Sequence, residues 1–327
     1  MRTVHLTSTL LPLICLLGVA STSLQARSSW QQQLKHDIPY RMLDMEWPFR
    51  VDYTEQVQEE ITDYLRSGKR ETERMLGRSV MYFPIFEHYI EAYDLPQELK
   101  YIPLLESRLR PAVESSAGAA GLWQFMPATG RGFGLSIDEW VDERKNPYQS
   151  TAAALRYLSE LYRQFDDWSL ALAAYNCGPG RVSRIIKNTG CNNFWDIEHL
   201  LPRQTRRYLP RIIATIYVAE QYAQHGLQPS FKQYQKQSFS VFRVHSAVDL
   251  AAIAQHCGMT QRQILRWNPG YHNLYTPARE NPHYLILPEH ALPAFQNFII
   301  KESRKTGDDY AIAVLQSQPK SVDLRDS

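Results

Sequence analysis

From residue 52 onward the apolar positions of the chain recur at three- and four-residue intervals. Val57, Ile61, Tyr64 and Leu65 form one stripe behind a capping-box start at Asp52 and Glu55, and Ile85, Phe86, Tyr89, Ile90 and Tyr93 form another. Pro96 at a first helical position, followed by Leu99, Ile102 and Glu106 at helical spacing, predicts a third helix. The run 122–126 reads as a further helix that stops near Pro127. Ala152, Leu155, Leu158, Leu161, Tyr162 and Phe165 predict a strongly amphipathic helix, and residues 170–175 a shorter apolar one that ends at "NCGPG". A last long helix is expected over 203–224, carrying Tyr208, Ile212, Ile213, Ile216, Tyr217 and Tyr222. No alternating strand pattern precedes residue 239, so this part is expected to be α-helical.

Beyond the polar stretch "HGLQPSFKQYQKQS" the pattern changes. "FSVFRVH" is β-branched and aromatic, two short helices follow with Thr260 and Gln263 as a capping box, and "HYLILP" closes as a strand. The fold class is therefore mainly α, with a small β-α-α-β unit behind it. Residues 1–26 read as a signal peptide: Arg2, a short apolar run over 10–19 that is too short to span a bilayer, and small residues in "STSLQA". In "LPLIC" Leu13 and Ile14 stand where a lipobox wants small residues, which argues against acylation of Cys15. The domain boundaries expected are an N-terminal extension over 27–51, the helical domain over 52–226, a linker over 227–238, the small domain over 239–300, and a disordered tail over 301–327 with little to bury.

Composition narrows the function. With 36 basic and 34 acidic residues the net charge is +2, and no long basic run marks a nucleic-acid binder. Nineteen Tyr and seven Trp supply rings suited to sugar faces, although most are expected in the core. With the signal removed, Cys177, Cys191 and Cys257 remain. An oxidising compartment permits a bridge between Cys177 and Cys191, with three buried thiols the open alternative. No cysteine pair has zinc-site spacing, so neither a metal site nor a cofactor is expected.

The chemistry centres on "LLESRLRPAVESSAGAAGLWQFMPATG". Glu106 ends an apolar helical face, and Ser115 to Gly121 are too small to fill space, so something else is expected to approach the backbone there. An apolar setting should raise the pKa of such a carboxyl above an ordinary glutamate's. Glu114 lies in the turn, and Asp138, Glu139, Asp142 and Glu143 fall in a polar stretch that reads as a solvated loop. Trp123, Phe125 and Met126 are expected to pack the core.

Three segments in order, "ESRLRPAVESSAGAAGLWQFMPATG", "AAYNCGPGRVSRII" and "LPRQTRRYLPRIIA", resemble the soluble lytic transglycosylase domain of the goose-type lysozyme superfamily, and most closely its membrane-bound lytic murein transglycosylase D type. The resemblance runs from about Asp52 to Tyr222. It implies a lysozyme-like helical fold that cleaves the MurNAc to GlcNAc β-1,4 bond of peptidoglycan and leaves 1,6-anhydro-MurNAc ends. By motif, Glu106 matches the catalytic acid and base, used without the second carboxylate of ordinary glycosidases. Ser115 and Gln124 match positions that bond the substrate near the scissile linkage. Tyr175 matches a residue that orients Glu106 or stacks on a sugar, Asn176 one that bonds an acetamido group, and Tyr208 the tyrosine that caps the glutamate's side of the cleft. For Ser115 a turn-forming role, for Tyr175 a core role and for Asn176 a helix-cap role stay open.

The small domain resembles a degenerate LysM module, with Asn268 in the family's place but Ala247 and Val248 where Gly-Asp is usual, so that packing against the catalytic lobe is an alternative to glycan binding. The partners implied are peptidoglycan glycan strands and no nucleic acid, with cell-wall or outer-membrane proteins left unidentified. The location implied is exported, in the periplasm or cell envelope, with association to the outer membrane an option. A goose-type lysozyme that hydrolyses with water and a catalytically idle peptidoglycan-binding scaffold stay open beside this reading, though a scaffold needs no carboxylate at position 106.

Overall fold

A computed structural model describes residues 37–231, 238–278, 280–306 and 312–317. The expected signal peptide, half of the linker and the last ten residues lie outside them. The chain divides into two units, one ending at Trp47 and one starting at Pro48. In the first, residues 37–43 form helix α1, and the Trp47 indole donates to the Met42 carbonyl at 3.0 Å.

The second unit begins with α2 (Glu55–Leu65), whose buried stripe is Val57, Ile61 and Leu65. Its N-cap is Thr54, which accepts from the Val57 amide, and not Asp52, which pairs with Arg50 instead. An extended Thr54 places its hydroxyl over the first turn, as an N-cap requires. Helix α3 (Lys69–Ala92) follows, then a 3-10 turn over Gln97–Tyr101 that runs into α4 (Ile102–Ser107). Next come α5 (Pro127–Gly132), α6 (Pro147–Phe165), α7 (Trp168–Cys177), α8 (Pro179–Thr189) and α9 (Phe194–Ile197). The long helix expected over 203–224 is two pieces, α10 (Arg203–Arg206) and α11 (Tyr208–Glu220), the latter packed on α2, α4 and α7. The helix expected over 122–126 is also different. Those residues form turns, and the helix begins at Pro127, where a missing N–H and a fixed φ suit the first position.

The smaller region carries β1 (Phe239–Val244), β2 (Val248–Asp249), α12 (Leu250–His256), α13 (Gln261–Trp267), β3 (Tyr275–Thr276) and β4 (His283–Pro288). Thr260 and Gln263 form the expected capping box. Two further elements extend it: α14 (Leu292–Thr306), and β5 (Ile312–Ser317), which pairs antiparallel with β1 so that the sheet order is β4-β1-β5. Part of the tail expected to be disordered is thus a strand. "IAVLQS" has the β-branched and apolar content that an open edge of β1 accepts.

Strand β1 explains how this region sits on the helical lobe. Phe242 and Val244 face the region's own core with Leu285, Leu287, Phe295 and Phe298, whereas Phe239 and Val241 join Ile286 against Met81 of α3 and Tyr148 of α6. Alternate residues point to opposite faces, and both faces are covered, so the strand reads as a nearly continuous apolar run.

Candidate active site

Glu106 occupies the last turn of α4, and the chain leaves it abruptly. Arg108 (φ 53°) and Leu109 (φ 55°) are consecutive non-glycine residues in the left-handed region, a conformation that costs on the order of 1–3 kcal/mol per residue. Complete burial of Leu109, whose amide donates to the Pro103 carbonyl, holds the bend. The residue as a whole is half-buried. Its packed surroundings nevertheless push its pKa up to about 7, against the opposing effects of a hydrogen bond from Tyr208 and the charge of Arg211. The Tyr208 hydroxyl donates to Oε1 of Glu106 at 2.5 Å. Burial and the nearby Glu106 charge raise the phenols of both Tyr208 and Tyr175 well above their ordinary value. Arg211 lies one turn along α11 from Tyr208 and faces Glu60 at 3.7 Å, which also accepts from Arg207 at 2.6 Å.

Ser115 and Gln124 stand on one compact turn. The Ser115 amide donates to the Ala119 carbonyl and its hydroxyl accepts from the Ala119 amide, so the serine shapes the turn that presents it. Gln124 has φ 50°, and its side-chain amide donates to the Gly121 carbonyl at 3.0 Å. Tyr175 on α7 donates to the Trp123 carbonyl at 2.6 Å, the residue before Gln124, rather than to Glu106. Its ring continues a row through Tyr157 to Phe133. Asn176 accepts from the Thr205 hydroxyl at 2.9 Å, which engages its carbonyl oxygen and turns the amide NH2 into its remaining recognition group. A polar cavity of about 290 Å³ between α2, α3, α4 and α11 is lined by Glu60, Asp63, Glu71, Arg108 and Arg211, but Ser115, Gln124 and Tyr175 do not border it.

Several expectations change. What approaches the small residues is the protein's own backbone: a Cβ on Gly121 (φ 84°) would sit 1.7 Å from the Arg144 carbonyl oxygen. Asp142 and Glu143 are not solvated. They are buried with Arg144, because Asp142 takes the Arg144 guanidinium in two bonds of 2.8 Å and Glu143 accepts from the Ser136 amide at 2.7 Å. Burial alone would raise the Asp142 carboxyl, yet the Arg144 bonds and charge hold it below its ordinary value. Glu114 pairs with Lys145. Trp123 and Phe125 are core residues as expected, whereas Met126 is 44% exposed.

Cys177 and Cys191 are free thiols, not a bridge. They flank α8, whose 11 residues span roughly 16 Å, more than the Cα separation of about 7 Å that a disulfide tolerates.

Residues 84–197 match the transglycosylase SLT domain family, and residues 238–299 match the LysM-like domain of the lytic transglycosylase MltD family. The chain carries an SLT domain followed by an MltD-type LysM-like module. The membrane-bound lytic murein transglycosylase D of Escherichia coli K12 is 30% identical over 247 residues, 73% of this chain and 53% of that protein. The soluble lytic murein transglycosylase of the same strain is 29% identical over 141 residues, 41% of this chain and 22% of that one. The peptidoglycan transglycosylase gp16 of phage T7 is 38% identical over 93 residues, 28% of this chain and 7% of that one. The chain thus spans about half the length of the curated relative it matches over most of its own. In the LysM-like module, the position expected to hold Asp carries the buried Val248, and Asp249 caps α12 instead. Asn268 is buried, donating to the Ile264 and Ile286 carbonyls and accepting from the Ile286 amide, a structural role.

The polar segment containing Asp142, Glu143 and Arg144 offered no periodicity or spacing by which to find the ion pair. Thr205 and Arg211 lie within one of the resembling segments, but only the fold shows what they touch.

Proposed function

We propose that this protein is a peptidoglycan lytic transglycosylase that cleaves the MurNAc to GlcNAc β-1,4 bond with Glu106 acting first as acid and then as base. The observation that carries the reading is the charge environment of Glu106. Among the described residues the charged group acting on it is a cation, Arg211, and not a second carboxylate. With a pKa of about 7 the carboxyl is largely protonated in mildly acidic conditions and about half protonated near neutrality, so it can give its proton to the glycosidic oxygen as the C1–O4 bond breaks. The resulting carboxylate, oriented by Tyr208, then takes the proton of the same sugar's 6-hydroxyl as its oxygen bonds C1. No water is consumed, and the product is a 1,6-anhydro ring. Ser115, Gln124 and Asn176 supply polar groups to hold the sugar, and Tyr175 fixes the Trp123 carbonyl that leads into Gln124. An exported location in the periplasm or cell envelope accords with this substrate, and the family relationship supports both.

The test is the product. Borohydride-treated digests of purified sacculi should show 1,6-anhydro-MurNAc ends, about 20 mass units below the reduced product of hydrolysis, one water and two hydrogens apart. Digests dominated by reduced MurNAc would assign hydrolysis by water. No release at all would leave a peptidoglycan-binding scaffold.

A further inference from the structure

The loop over 138–145 belongs to two structures at once. On one side it is joined to the LysM-like module: the Asp142 amide donates to the Gly270 carbonyl at 2.7 Å, the His272 amide donates to the Trp140 carbonyl at 2.9 Å, and Val141 is buried in the module's own core beside Tyr271. On the other side it grips the substrate turn. Asp142 holds the Arg144 guanidinium in two bonds, and the remaining nitrogen of that guanidinium donates to the carbonyls of Gly118 at 2.6 Å and Phe125 at 3.0 Å. Gly118 lies just after Ser115 and Phe125 just after Gln124, and Gly121 between them rests on the Arg144 backbone. A buried ion pair adds little net stability, because desolvation offsets its attraction; what a planar, fully engaged guanidinium provides is fixed geometry.

We propose that the LysM-like module is a positioning element of the active site: through Gly270, Asp142 and Arg144 it fixes where Ser115 and Gln124 stand relative to Glu106. The module serves the glycan strand without touching it. The proposal rests on the reading that Ser115 and Gln124 hold the substrate. A path of contacts is a coupling only where disturbing one end moves the other, and that is measurable.

The disturbance is Gly270→Ala in the full chain. A Cβ there would sit 2.9 Å from the Asp142 carbonyl oxygen, closer than real Cβ atoms come, so the backbone at Asp142 must shift. Val141→Ala is the second variant, which loosens the same junction by removing methyl groups and serves if the first does not fold. Tyr275→Ser alters an exposed ring of the module on β3, which pairs with β2 rather than with the 138–145 loop. Hydrogen exchange followed by mass spectrometry should run several-fold faster over 113–125 in the junction variants, with α11 unchanged. On soluble, uncrosslinked glycan strands their KM should rise several-fold while the alkaline limb set by Glu106 stays in place, and Tyr275→Ser should match wild type in both measurements. Unchanged exchange over 113–125 alongside faster exchange over 268–272 would overturn the proposal. So would an equal loss in Tyr275→Ser, which would show a module that works by touching glycan. A wild-type chain that cleaves no glycan would remove the functional reading and leave the exchange result standing by itself.

Discussion

Tyr208 donates a 2.5 Å hydrogen bond to Glu106 from the first residue of a helix that follows it by more than a hundred positions. The bond favours the charged carboxylate and so works against the burial that raises its pKa. Tyr208→Phe removes the donor and keeps the ring. The Glu106 pKa should then rise further, moving the alkaline limb of the pH–rate profile up by about one unit, while the maximal rate falls roughly 10-fold as the carboxylate loses its orientation. A profile measured on sacculi between pH 5 and 9 checks both. An unmoved limb would detach Tyr208 from the titration.

Glu106→Gln should abolish lysis, by at least about 100-fold, since an amide of the same shape delivers no proton. It should also stabilise the fold in a pH-dependent way. Between the ordinary glutamate value of 4.5 and about 7, the native state holds a proton that the unfolded chain has released, so wild-type stability falls as pH rises through that window. The Gln variant escapes this loss, which is on the order of 3 kcal/mol at full extent. Its melting temperature should exceed that of wild type at pH 8 and converge with it at pH 4.

Both Cys177 and Cys191 should react with an alkylating reagent in the native, non-reduced protein, because α8 holds them apart. Reductant should leave the melting temperature unchanged. A linked peptide pair in a non-reducing digest would contradict the fold at this helix.

Gly121→Ala should destabilise the protein by more than about 3 kcal/mol, since the position combines a positive φ with backbone contact at Arg144. Gly118→Ala shares the positive φ but meets no atom within 4 Å, and it should cost only about 1 kcal/mol. Chemical denaturation of the two variants separates steric contact from backbone strain.

The helical lobe was legible because its helices bury stripes wide enough to register at a period near 3.6, as at Val57, Ile61 and Leu65. Failures fell where a single cap or turn decides the outcome. Thr54 displaced Asp52, Pro127 opens a helix rather than closing one, and Arg207 interrupts the run into α11. The candidate site was legible at Glu106 through its apolar face and its motif. The partner of Tyr175 was not, because a backbone carbonyl such as that of Trp123 leaves no trace in side-chain pattern. Nor was Arg144, for a buried guanidinium paired two residues away looks like any charged loop until the fold closes over it.

The hydrogen bond from the Asp142 amide to the Gly270 carbonyl has a consequence in time. A chain emerges from the ribosome amino end first, and its early domains begin to fold before the later ones exist. Glu106, Ser115, Gln124 and even Tyr208 are all synthesised ahead of Gly270. For that interval the loop that seats Arg144 lacks one of its two neighbours, and the Val141 side chain has no module core to enter. On the proposed coupling, a cleft whose bracing lies latest in the chain stays unfinished until the module has folded, which separates making the carboxylate from arming it.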